Sequence, residues 1–79
     1  MYLCISGYLP DDDEDDSLKF DLDLDKSFND QIVQFLGHTN LNAMAEGEWS
    51  LMREQVVEIS ETIGQSLPTN LDLFIGVLA

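Results

Sequence analysis

Leu18-Lys19-Phe20-Asp21-Leu22-Asp23-Leu24-Asp25 carries the plainest period in this chain of 79 residues. Leu18, Phe20, Leu22 and Leu24 share one parity, and Lys19, Asp21, Asp23 and Asp25 share the other. Strict alternation of this kind predicts a half-buried β-strand with one apolar and one charged face. Upstream, Met1 to Leu9 reads as a second strand, ended by Pro10. Leu3, Ile5, Gly7 and Leu9 lie on one of its faces, and Tyr2, Cys4, Ser6 and Tyr8 on the other. The acids Asp11, Asp12, Asp13, Glu14, Asp15 and Asp16 separate the two stretches. Adjacent like charges cannot pack together, so this run belongs to a solvated loop and the pair of strands to a hairpin.

Beyond the hairpin the period changes. Ser27-Phe28-Asn29-Asp30 has the spacing of a capping box, with Asp in place of Glu or Gln. Phe28, Ile32, Phe35 and Leu36 follow at helical spacing, and Gly37 suits the left-handed residue after a helix end. A short helix is expected from about Phe28 to Leu36. His38 to Gly47 reads as a connection that Leu41 and Met44 tie to the core. A second helix is expected from about Glu48 to Ile63, with Trp49, Met52, Val56, Ile59 and Ile63 on its apolar stripe. Gly64 and Pro68 mark its end. The β-branched pair Val56-Val57 leaves a strand open as an alternative over part of that stretch. Leu71 to Ala79 is apolar nearly throughout and reads as a strand buried on both faces. The predicted class is α+β: a single domain, 1–79, with a small antiparallel sheet of three to four strands. Its order is β-β-α-α-β, with the helices packed on one face.

The charge balance narrows function more than the fold does. Sixteen Asp and Glu oppose three Lys and Arg, a net charge of −13. Such a field repels nucleic acid and anionic membranes and draws in cationic proteins. Solubility alone is the competing explanation, but far less charge achieves it. The apolar share of 44% argues against general disorder. One cysteine, Cys4, excludes an internal disulfide and a cysteine-based metal cluster, and its apolar surroundings suggest a buried thiol. MYLCISGYL lacks the basic start and long apolar stretch of a signal peptide, and no run reaches the roughly 20 apolar residues of a membrane span. A cytoplasmic protein is expected.

Catalytic and metal chemistry find little footing. A calcium loop beginning at Asp11 needs Gly at its sixth position and Glu at its twelfth, where Asp16 and Leu22 stand. His38 is the only histidine, and directly after the helix-ending Gly37 it is placed to meet the last helical carbonyls. General acid–base pairs require one desolvated carboxyl, whereas the acids here fall at exposed positions. The expectation is no enzyme, no metal and no cofactor.

Binding has better support. Alternate strand residues stand about 6.7 Å apart, so Asp21, Asp23 and Asp25 would present a rigid row of carboxylates that Lys and Arg side chains match. The loop acids Asp11 to Asp16 would extend it. The competing reading is a solvated face whose acids prevent edge aggregation. Tyr8, with Tyr2, shares the polar parity of the first strand and would anchor a partner beside the row, unless a helix covers it.

Several pieces together resemble the immunity proteins of the cloacin and ribosome-cleaving colicin family. They are YLCISGYL followed by an acidic loop, DKSFND, FLG after a short helix, EGEWSLMREQVVEI and the closing LDLFIGVLA. The resemblance implies an antiparallel-sheet protein that protects its producer by binding the cytotoxic nuclease domain of a toxin. It also implies that part of Trp49 to Ile59 is extended rather than helical. The leading expectation is therefore an inhibitor that plugs a basic nuclease with an acidic face, binding protein rather than nucleic acid or membrane. A phage-type nucleic-acid mimic aimed at a host defence complex or DNA-binding protein is the second reading, and an accessory subunit assembling through its apolar strands the third.

Overall fold

Tyr2–Tyr8 (β1) and Phe20–Asp23 (β2) pair antiparallel in the expected hairpin. The computed structural model describes residues 1–10 and 18–78, so the acidic run Asp11–Asp16 lies outside the described residues. Ile5 faces Leu22 and Gly7 faces Phe20, while Ser6 faces Asp21 and Cys4 faces Asp23. The two parities of each strand therefore fall on opposite sides of one sheet.

β2 is half the predicted length. At its start, the Lys19 N–H reaches the Gly7 carbonyl (2.8 Å), although the register partner of Gly7 is Phe20. Two residues then oppose one, as in a bulge, and the ladder ends. At the other end the Leu24 N–H still bonds the Leu3 carbonyl (2.8 Å), and Leu24 is buried. Asp25 then leaves the strand. Its carboxylate accepts from the Ser27 N–H (2.9 Å) and caps a 3₁₀ turn, Lys26–Phe28. The helix Asn29–Phe35 (α1) follows directly without a side-chain cap. The expected capping box thus gives way to an Asp25 cap two residues earlier, and Asp25 does not extend the carboxylate row. Ile32 and Val33 are the buried residues of α1, whereas Phe35, expected in the core, is 44% exposed. Gly37 takes the left-handed conformation foreseen for it (φ 82°).

The expected connection contains one helical turn, Leu41–Met44 (α2), capped by the Asn40 side chain, which accepts from the Ala43 N–H (2.9 Å). Met44 is fully buried and Leu41 half-buried, so both do tie this segment to the core. The long second helix is corrected at its start. Trp49–Ser50 (β3) is extended, and the helix runs over Arg53–Ile63 (α3). Trp49 pairs with Ile75 of the last strand, Asp72–Leu78 (β4), and the Leu51 N–H bonds the Leu73 carbonyl (2.9 Å). Here a free strand edge outcompetes helical spacing. α3 starts where the Gln55 side chain accepts from the Met52 N–H (2.7 Å) and stops at Gly64 (φ 69°). Val56 and Ile59 face inward as expected, but Met52 is exposed.

The sheet order is β2-β1-β4-β3, antiparallel throughout, in an α+β fold with the helices on one face. Leu3, Ile5, Leu73 and Ile75 from the central strands meet Ile32, Val33, Met44, Val56 and Ile59 from the helices. β4 is not buried on both faces. Leu73 and Ile75 are covered, but Phe74 and Gly76, on the other parity, are only half-covered and Asp72 and Leu78 are exposed. No helix among the described residues is long and apolar enough to cross a membrane.

Gly7 fixes how closely the three neighbouring strands approach on the helix side. A Cβ there would stand 2.9 Å from both the Phe20 Cβ and a Leu73 methyl. The Phe20 atom is bound directly to backbone, so it yields only if β2 moves. Gly7→Ala is expected to cost about 1–3 kcal/mol by overpacking, read as a lower urea midpoint with an unchanged slope. A variant as stable as the parent would contradict this packing.

Candidate functional site

With the helices on one side, no helix or strand among the described residues covers the other side of the sheet, the open face, and its residues can be followed in rows. Asp21, Ser6, Phe74 and Ser50 stand opposite one another across all four strands. Below them run Asp23, Cys4 and Gly76. Tyr8 faces Asp72 above, and Tyr2 faces Leu78 at the far end. Tyr8 and Phe74 meet edge to face, with ring centroids 5.9 Å apart and planes at 69°, a favoured arrangement for aromatic rings. The Glu48 side chain lies against Gly76, its Cγ 3.4 Å from where a Cβ would stand there. An aromatic and polar floor is thus bordered by carboxylates on both sides: Asp21 and Asp23 from β2, and Glu48 next to β3.

The sequence placed Asp21, Asp23 and Tyr8 on one surface, and the structure brings them together there with Asp21 and Asp23 exposed. Asp25 is separated from them as the cap of the following turn. Its bonds from the Ser27 backbone N–H, and then from the Ser27 side chain, hold its carboxyl below the ordinary carboxylate range. Asp11, Asp12, Asp13, Glu14, Asp15 and Asp16 lie outside the described residues. Phe74, Asp72 and Glu48 were missed, because they join this face only through the long-range pairings of β4 with β1 and with β3. One signal was present: Asp72, Phe74 and Gly76 share a parity that the apolar run concealed.

Trp49 is neither in the core nor on the open face. It flanks the helix side at the β3 edge, 38% exposed, where its indole N–H donates to the Met44 carbonyl (2.9 Å). Its ring packs on His38 at 4.7 Å. His38 meets the end of α1 as expected, but through its backbone N–H, which bonds the Val33 carbonyl (3.1 Å).

Among the described residues, Cys4 is the one buried group on the open face with titratable chemistry. Its thiol donates to Asp21 Oδ1 at 3.0 Å. Possible ligand atoms of Cys4, Asp21 and Asp23 all lie within 4.8 Å of one another. Without a bound cation these surroundings favour the thiol. Burial, followed by hydrogen bonds to Asp21 and Asp23 and the charges of both, lifts it from 9.0 to about 12. The cluster is best described as a hydrogen-bonded one, in which a neutral donor spans two close carboxylates and eases their repulsion. No protein-family model, no curated protein and no solved structure matches this chain.

The raised thiol carries a sign that can be tested. Below pH 9 Cys4 is protonated whether the chain is folded or not. Between about 9 and 12 the unfolded chain releases a proton that the folded one keeps. Stability is therefore expected to fall as pH rises through that window, and the part due to Cys4 to vanish in Cys4→Ala. At mildly alkaline pH the folded thiol should react with Ellman's reagent roughly a thousandfold more slowly than the unfolded one, three pKa units apart. Equal rates in the two states would refute the cluster.

Proposed function

We propose that this protein is an immunity-type inhibitor, which binds the basic nuclease domain of a toxin in the cytoplasm through the open sheet face and the acidic run Asp11–Asp16. The observation that supports this most is the composition of that face. It combines aromatic side chains with carboxylates on both borders, in a chain of net charge −13. Aromatic anchors surrounded by charge are the residue types that dominate protein-binding energetics. The helices complete the core from the other side, so this face can be engaged without unfolding anything.

Mechanistically, inhibition is occlusion. The carboxylates take the place of substrate phosphates in a cationic cleft, and Tyr8 and Phe74 supply apolar area that phosphates lack. Long-range attraction speeds the encounter, which suits a protein that must act before its target does damage.

The test is inhibition of cleavage across a panel of basic ribonuclease and deoxyribonuclease toxin domains. One of them should be inhibited stoichiometrically, with an association rate that drops steeply between low and physiological salt, where the screening length shrinks to about 8 Å. Asp21→Asn with Asp23→Asn should weaken that complex about 30-fold or more, corresponding to roughly 2 kcal/mol for one charge-assisted contact. A salt-independent association rate, or full affinity in the double variant, would contradict the acidic-face mechanism.

A further inference from the structure

β2 is an edge strand, with β1 on one side and no strand on the other among the described residues. Its register decides which backbone groups face outward. The Leu24 N–H bonds the Leu3 carbonyl across the ladder. In an antiparallel pair, alternate residues direct both backbone groups to the same neighbour. Leu22 and Leu24 therefore turn theirs to β1, and Asp21 and Asp23 turn theirs away. The residues whose carboxylates border the open face thus also offer unpaired N–H and C=O groups along the rim. Such an edge is a template for another strand.

From this we infer that β2 accepts a strand from the partner: an extended basic segment with Lys or Arg at alternate positions, added antiparallel along Asp21–Asp23. This rests on the acidic-face reading and names the partner's shape and chemistry. The occupant follows from the side chains. In an added antiparallel strand, the residue opposite Asp21 exchanges backbone bonds with it and points to the open face, beside the carboxylate. A cation fits there. The residues between point to the helix side, beside the half-buried Phe20 and Leu22 and the exposed Leu18, where an apolar side chain fits. A second copy of this chain is disfavoured on the same register. Antiparallel pairing about Leu22 sets Asp21 of one copy against Asp23 of the other, and like charges directly opposite destabilise a strand pair. The edge thus repels its own kind and admits an alternating cationic strand, a pattern of strand addition in which backbone bonds give affinity and alternate side chains give specificity.

The probes are two peptides: a decapeptide of alternating lysine and valine, and the same peptide methylated on its lysine backbone nitrogens. Methylation removes the donors that would meet β2 and keeps every charge. Amide exchange and chemical shifts are followed by NMR on the full ¹⁵N-labelled chain at low salt. The unmodified peptide should slow exchange at Asp21 and Asp23 about tenfold when nine-tenths of the protein is bound, and methylation should abolish this. Binding by both peptides, with shifts at Tyr8 and Phe74 but unchanged exchange at Asp21 and Asp23, overturns strand addition and leaves the acidic-face reading standing. Absence of binding by either peptide overturns both.

Discussion

One row on the helix side holds the sheet in register: Leu22, Ile5, Ile75 and Trp49, standing opposite one another across the four described strands. Ile5 and Ile75 are fully buried at its centre, in the same cluster as Ile32, Met44 and Ile59 from the helices. Side chains alternate along a strand, so a slip of a single residue would turn every apolar side chain to water and every acid to the core. That penalty makes the register unambiguous. Once Ile5 is inside, Cys4 and Ser6 are on the opposite face, and so are Asp21, Asp23 and Phe74. The open face is therefore a consequence of how the core is built.

This arrangement gives the acids a surface without burying them, since a buried, unpaired carboxylate would be prohibitive. The price is repulsion within the sheet, which the structure eases locally. Cys4, held as the neutral thiol, donates to Asp21, and Asp25 leaves the row to cap the following turn. The same register that turns two carboxylates to the open face turns their backbone groups to the outer edge. Charge and pairing capacity coincide at β2, and this links the fold to the proposed mode of binding.

The hairpin, the faces of β1 and β2, the end of each main helix at a glycine and the α+β class were legible in the sequence, because each rests on local spacing or on one residue's backbone preference. What was not legible depended on distant partners. Trp49 and Met52 fall in phase with Val56 and Ile59, so spacing alone extends the helix. Only the edge of β4, supplied from the far end of the chain, draws Trp49–Ser50 into an extended segment. The resemblance to immunity proteins implied an extended piece there, which local periodicity did not. Phe35 matched the helical stripe but is largely exposed, and Val33, which was not on that stripe, takes the inward position beside Ile32. Likewise, an apolar run such as Leu71 to Leu78 cannot reveal that one of its faces has no helix or strand above it among the described residues.

The central claim is that neighbouring residues of one short segment serve separate ends: one parity for stability, the other for recognition. Urea unfolding of two variants within that segment tests it directly. Asp21→Asn with Asp23→Asn should unfold at or above the parent midpoint at neutral pH, since Asn can still accept from the Cys4 thiol and the repulsion is relieved. Leu24→Ala should lose about 2–5 kcal/mol through the cavity it leaves. An Asn pair that destabilises the fold as much as Leu24→Ala would mean that these carboxylates hold the structure together, and the division of labour would be wrong.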